Sequence, residues 1–117
     1  MIEVNLMKQS DLRDLNVKYD SKFALESGKL VFVIREDEEL AGYSVVETKE
    51  NDAHIKKYFC ELKESIENLF CLKSIGSILT NFEITDIYDD TENINKFFRN
   101  DGKLDLSELF RSSCNDI

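Results

Sequence analysis

Ala53-His54-Ile55-Lys56-Lys57-Tyr58-Phe59-Cys60-Glu61-Leu62-Lys63-Glu64-Ser65-Ile66-Glu67-Asn68-Leu69-Phe70-Cys71-Leu72 is the stretch on which the fold turns. Ile55, Tyr58, Phe59, Leu62, Ile66, Leu69 and Phe70 recur at the spacings of one helical face. Lys56, Lys57, Glu61, Lys63, Glu64 and Glu67 fall on the other face, and Lys57/Glu61 and Lys63/Glu67 are placed for weak i,i+4 pairing. Asn51 or Asp52 can cap the start. The pattern predicts one long amphipathic helix over about 52–72. Lys73-Ser74 and Gly76 interrupt it, so Ile75–Phe82 reads as a strand.

A helix so apolar on one side needs a surface to lie on, and the preceding residues supply one. Leu30-Val31-Phe32-Val33-Ile34 is a β-rich run suited to burial on both faces. An acidic turn, Arg35 to Glu39, leads to Leu40, Ala41, Tyr43, Val45 and Val46, which predicts a hairpin across Lys29–Thr48. Ile2, Val4 and Leu6 alternate with polar residues as a short first strand. Ser10-Asp11 can cap a helix carrying Leu12, Leu15, Tyr19 and Phe23, closed by Glu26-Ser27-Gly28. Ile84, Ile87 and Tyr88 suggest a further strand, and Asn100-Asp101-Gly102 a turn. The expected fold is α+β: an antiparallel, hairpin-based sheet with the long helix on one face. One domain is expected over residues 1–111, with a loose tail at 112–117.

Hydrophobic residues make up 42% of the chain, enough for a core, while 24 acidic against 15 basic residues leave a net charge of -9. That charge repels phosphate backbones, so direct nucleic-acid binding is disfavoured, and it attracts basic proteins. No run is long and apolar enough for a membrane span, and the chain opens without a secretion-signal pattern. Cys60, Cys71 and Cys114 are odd in number and lack a CxxC spacing, which suits reduced thiols in a cytoplasm.

Candidate sites are weak in chemistry and strong in charge. Asp101, Gly102, Asp105 and Glu108 copy the second half of an EF-hand loop, but Phe97 and Arg99 stand where two oxygen ligands belong, so no metal is expected. His54, the lone histidine, and Cys60 are too badly spaced on a helix to act together, so no catalytic residue and no cofactor are assigned. Glu36, Asp37, Glu38 and Glu39 at the hairpin tip, with Asp86, Asp89, Asp90 and Glu92 further on, form two acidic clusters. They are read as partner-binding patches. The leading expectation is a non-enzymatic inhibitor, of immunity-protein, antitoxin-like or anti-defence type. It would dock on a basic partner such as a nuclease toxin or another nucleic-acid-processing enzyme.

Three resemblances stand beside that expectation. Gly28–Val33 with Glu39–Val46 resembles the second and third strands of GCN5-related N-acetyltransferases, and Lys73–Leu79 is similar to their pyrophosphate-binding loop and helix. The resemblance implies an acetyl-CoA site in which backbone N–H groups at a helix start hold the pyrophosphate. The family's Arg/Gln, first loop glycine and tyrosine acid fall at Cys71, Ser74 and Phe98, and the helical period of Ile55–Phe70 occupies the place of its fourth strand. A reduced or degenerate acetyltransferase is therefore the alternative function. The order hairpin, long helix, further strands resembles roadblock and longin modules, which implies a regulatory scaffold that pairs as a homodimer through a strand edge. Glu92–Phe98 with Asp101-Gly102 and Ser107-Glu108 is similar to the tail of some toxin-immunity proteins.

Overall fold

A computed structural model describes residues 1–20, 22–23, 27–91 and 102–104. Their order is β1 (Ile2–Leu6), α1 (Gln9–Tyr19), β2 (Lys29–Glu36), β3 (Glu39–Lys49), β4 (Asp52–Cys60), α2 (Ser65–Thr80) and β5 (Asp86–Asp89). The strands form one sheet in sequence order. The first four pair antiparallel, while β5 lies parallel to β4. The α+β class stands, but the sheet is mixed, and two helices replace the single long one.

The main correction is β4. Asp52–Cys60, expected as the first half of a helix, is a strand. Its partner register explains the misreading. Val46 faces Ile55, but Val45 faces Lys57, so Lys56 is an extra residue on β4. A bulge of this kind shifts the phase of the side chains beyond it. Ala53 and Ile55 before the bulge, and Tyr58 and Cys60 after it, all pack into the same core. The step of three across Lys56 imitates a helical period. The helix begins only at Ser65 and runs through Ile75–Thr80, where a strand was expected. Ser74 does not break it, because its hydroxyl donates to the Phe70 carbonyl one turn back. Gly76 is buried within it. With no helix over 52–72, the roadblock and longin pattern loses its basis.

Burial of β2 on both faces follows from the two helices. Phe32 and Ile34 join Leu69, Leu72, Ile75 and Leu79 of α2 in the larger core. Val31 and Val33 point the other way, to Leu15 of α1. The α1 start is tied by Asp11, whose carboxylate accepts from Lys8 N–H at 2.9 Å and pairs with Arg35 Nη2 at 2.9 Å. The helix ends at Tyr19, earlier than expected, with Asp20 in the left-handed region. Asp37 and Glu38 turn the β2–β3 hairpin, both at positive φ (50° and 73°). Side chains other than glycine are strained there.

Gly42 is required by close approach. It faces Cys60 across β3–β4, and a Cβ on it would lie 2.9 Å from Cys60 Cα and nearer still to the Phe59 carbonyl oxygen. Among the described residues no helix is long and apolar enough to cross a membrane.

Candidate functional site

The parallel pair β4–β5 is short. Asp52, Ala53, His54 and Ile55 face Asp86, Ile87, Tyr88 and Asp89, and the last link is Asp90 N–H to the Ile55 carbonyl. Beyond it β4 runs on to Cys60, and among the described residues nothing pairs with that free side. The result is a notch at the carboxyl ends of two parallel strands, which is where open sheets with parallel strands take ligands.

One wall of the notch carries His54 and Asp90. His54 stacks on Tyr88, ring centroids 4.9 Å apart and 15° from parallel. Its Nδ1 lies 3.3 Å from Asp90 Oδ2, close enough for charge to act, yet it has no aligned hydrogen-bond partner among the described residues. Lys56 Nζ reaches the same Asp90 oxygen at 2.6 Å. The Lys56 hydrogen bond holds the Asp90 carboxyl below the usual range, with His54 adding to the effect. These three side chains, with Gly28, Glu47 and Lys49, line an open cleft of about 520 Å³.

The far end of the notch is the junction of β4 with α2. Tyr58 hydroxyl donates to Asn68 Oδ1 at 2.7 Å, and Asn68 Nδ2 donates to the Leu62 and Glu64 carbonyls, each at 3.0 Å. Half-buried Cys60 and buried Cys71 lie beside Tyr58. The Cys71 side chain holds Cys60 below the ordinary thiol range, while Cys60 and burial push Cys71 up. On the opposite face of the sheet, Phe59 is 44% exposed and packs on Tyr19 and Tyr43 at 5.4 and 5.8 Å.

The acidic clusters are not brought together. Glu36–Glu39 sits at the β2–β3 tip, and Asp86, Asp89 and Asp90 lie on or just past the edge strand β5. Several of these carboxylates are engaged within the chain. Asp37 binds the Met1 amino group, Asp86 binds Lys103, Asp89 accepts from Thr91, and Asp90 binds Lys56. No group of three or more His, Cys, Asp or Glu side chains among the described residues is placed to hold a metal. Glu92, the EF-hand-like segment apart from Gly102–Leu104, Phe98, Cys114 and the immunity-like tail lie outside the described residues.

Sequence reasoning missed His54–Asp90, because the two residues meet only through the β4–β5 register. It also misplaced the pyrophosphate loop. Lys73–Leu79 lies within the second half of α2; the connection from the fourth strand to its helix is Glu61–Glu64. That connection fits a pyrophosphate poorly. It has no glycine, the N-cap Glu64 makes no side-chain cap, and Glu61, Glu64 and Glu67 surround one lysine, Lys63. Carboxylates so near a helix start compete with a phosphate for its N–H groups.

No family model and no curated protein matches the sequence. Solved structures do match the fold. A probable acetyltransferase from Staphylococcus epidermidis superposes with a TM-score of 0.62 at 16% identity, over 81% of this chain and 77% of that one. The ribosomal-protein-S18-alanine N-acetyltransferase from Escherichia coli gives 0.61 at 9% identity, over 89% and 88%. The PaiA N-acetyltransferase from Thermoplasma acidophilum, solved with coenzyme A, gives 0.58 at 14%, over 82% of each chain. These matches overturn the expectation of an inhibitor or immunity protein and favour the alternative: the chain has the fold of the GCN5-related N-acetyltransferases.

Proposed function

We propose that the chain is a reduced acetyltransferase-type domain that takes a thioester arm along the free side of β4 and receives an amine beside His54. The observation that carries this reading is the β4–β5 notch, with the His54–Asp90 pair at its apex. An extended arm bearing amides can add to the backbone of Lys56–Cys60, on the side that no described residue pairs, as a further strand would. An acceptor amine must lose a proton to become nucleophilic, and His54 is placed to take it. Asp90 then faces the imidazolium that forms, and Lys56 keeps Asp90 ionised. The helix start contributes little, since its carboxylates oppose a diphosphate. The handle of the donor therefore matters less than its arm.

Thermal unfolding with acetyl-CoA and with acetylpantetheine tests this. Both ligands should raise the melting temperature with concentration, by an amount that reaches about 2.7 kcal/mol of stabilisation at a hundredfold excess over Kd. The two dissociation constants should agree within about tenfold, or about 1.4 kcal/mol. No concentration-dependent rise with either ligand would overturn the proposal.

A further inference from the structure

We infer that the acceptor taken by the His54 cleft is a small amino acid, with its amine at His54 and its carboxylate on Lys49. The inference rests on the acyl-transfer reading and adds the class of acceptor. One cross-strand row forms the floor of the cleft. Lys29 stands opposite Glu47, Glu47 opposite His54, and His54 opposite Tyr88, so the four side chains share one face of the sheet. Lys49 lies two residues beyond Glu47 on β3 and belongs to that face too. Further along the same face α1 packs on Val31, Val33 and Val45, while Lys29 and Lys49 are exposed at the open end. The partner of Lys49 on β4 is Asp52, two residues before His54, which puts Lys49 and His54 about 8 Å apart at the backbone. A molecule that meets both needs a short link between its amine and its carboxylate.

Charge in the cleft runs against that of the chain. The chain carries 24 acidic and 15 basic residues, whereas the described residues lining the cleft include Lys29, Lys49 and Lys56 against the carboxylates of Glu47 and Asp90. Asp90 is taken by Lys56 at 2.6 Å, and Glu47 lies 3.9 Å from the Nζ of both Lys29 and Lys56, beyond hydrogen-bonding length. Lys49 makes no ion pair among the described residues. The excess is one positive charge, which a single carboxylate balances; a phosphate dianion would leave Glu47 and Asp90 facing uncompensated negative charge. In the transfer, the neutral amine nitrogen bonds the acyl carbon and the C–S bond breaks. Nδ1 of His54 is turned to Asp90, so the other imidazole nitrogen takes the amine proton and passes it to the leaving thiolate. An amide and a free thiol result.

The test gives the full chain acetylpantetheine as donor and sets glycine against glycinamide and β-alanine against β-alaninamide, with the acetylated products read by mass spectrometry. In each pair kcat/KM should favour the amino acid by about fivefold, the upper range for one exposed ion pair. The margin should shrink as salt rises. Lys49→Gln should bring the ratio to about one by raising KM for the amino acid, and Lys49→Arg should restore the preference. Equal rates on the amino acid and its amide would overturn the inference and leave the transfer reading standing. So would a preference that Lys49→Gln leaves intact. No product from any of the four acceptors would overturn the transfer reading and this inference together.

Discussion

Replacing Asn68 by alanine should loosen the junction between β4 and α2 more than any other single change on the exposed side of that connection. Asn68 accepts from Tyr58 at 2.7 Å and donates to two carbonyls at 3.0 Å, those of Leu62 and Glu64. Each such bond contributes about 1 kcal/mol net, so the three together stabilise by about 3 kcal/mol. Alanine is a better helix former and recovers about 0.6 kcal/mol. The expected loss is therefore about 2 kcal/mol. For a chain of 117 residues, unfolding entropy converts each kcal/mol into about 4 °C, so the midpoint should fall by about 8 °C. Asn68→Asp should be worse than Asn68→Ala. It keeps the acceptor for Tyr58 but sets a carboxylate against two carbonyl oxygens. Tyr58→Phe should cost about 1 kcal/mol alone. Combined with Asn68→Ala it should cost less than the sum, because the two changes remove one shared bond. Calorimetry and urea unfolding measure all four proteins. A midpoint shift under about 2 °C for Asn68→Ala, or strict additivity in the double variant, would refute the reasoning.

Three further outcomes follow from the same structure. Gly42→Ala should destabilise by about 3 kcal/mol or fail to fold, since the new Cβ meets backbone atoms of Phe59 and Cys60 that cannot rotate away; urea midpoints decide. Asp11→Ala should lose about 1–2 kcal/mol through the α1 cap and the Arg35 pair, with Asp11→Asn in between because it keeps a cap acceptor; urea unfolding ranks the series. The third concerns acid. The Asp90 carboxyl is depressed from its ordinary 3.8, chiefly by Lys56, so its contribution is complete above the ordinary value and disappears as pH falls through the lowered folded-state one. Because both partners are well exposed, that contribution stays under about 1 kcal/mol. Asp90→Asn should therefore narrow its gap to the parent as pH falls from about 5 to about 2, and a constant gap in urea titrations would contradict the assignment.

Much of the fold is legible from neighbouring residues alone. Leu30–Ile34 and Leu40–Val46 carry the β2–β3 hairpin in their own composition, and the continuous apolar run of β2 announces cover on both faces. The acidic hairpin tip and the first strand are equally local. The helix expected over 52–72 fails for a definite reason: the bulge at Lys56 gives a strand the spacing of a helix, and no glycine or proline marks Cys60–Ser65 as a boundary. Periodicity measures only which residues share a face, and a bulged strand and a helix answer that question alike. Tertiary structure alone decides that β5 returns parallel to β4, leaves the pair unfinished after Ile55 and sets Asp90 beside His54. Those residues stand far apart along the chain, and nothing in the local pattern of either encodes the register that joins them.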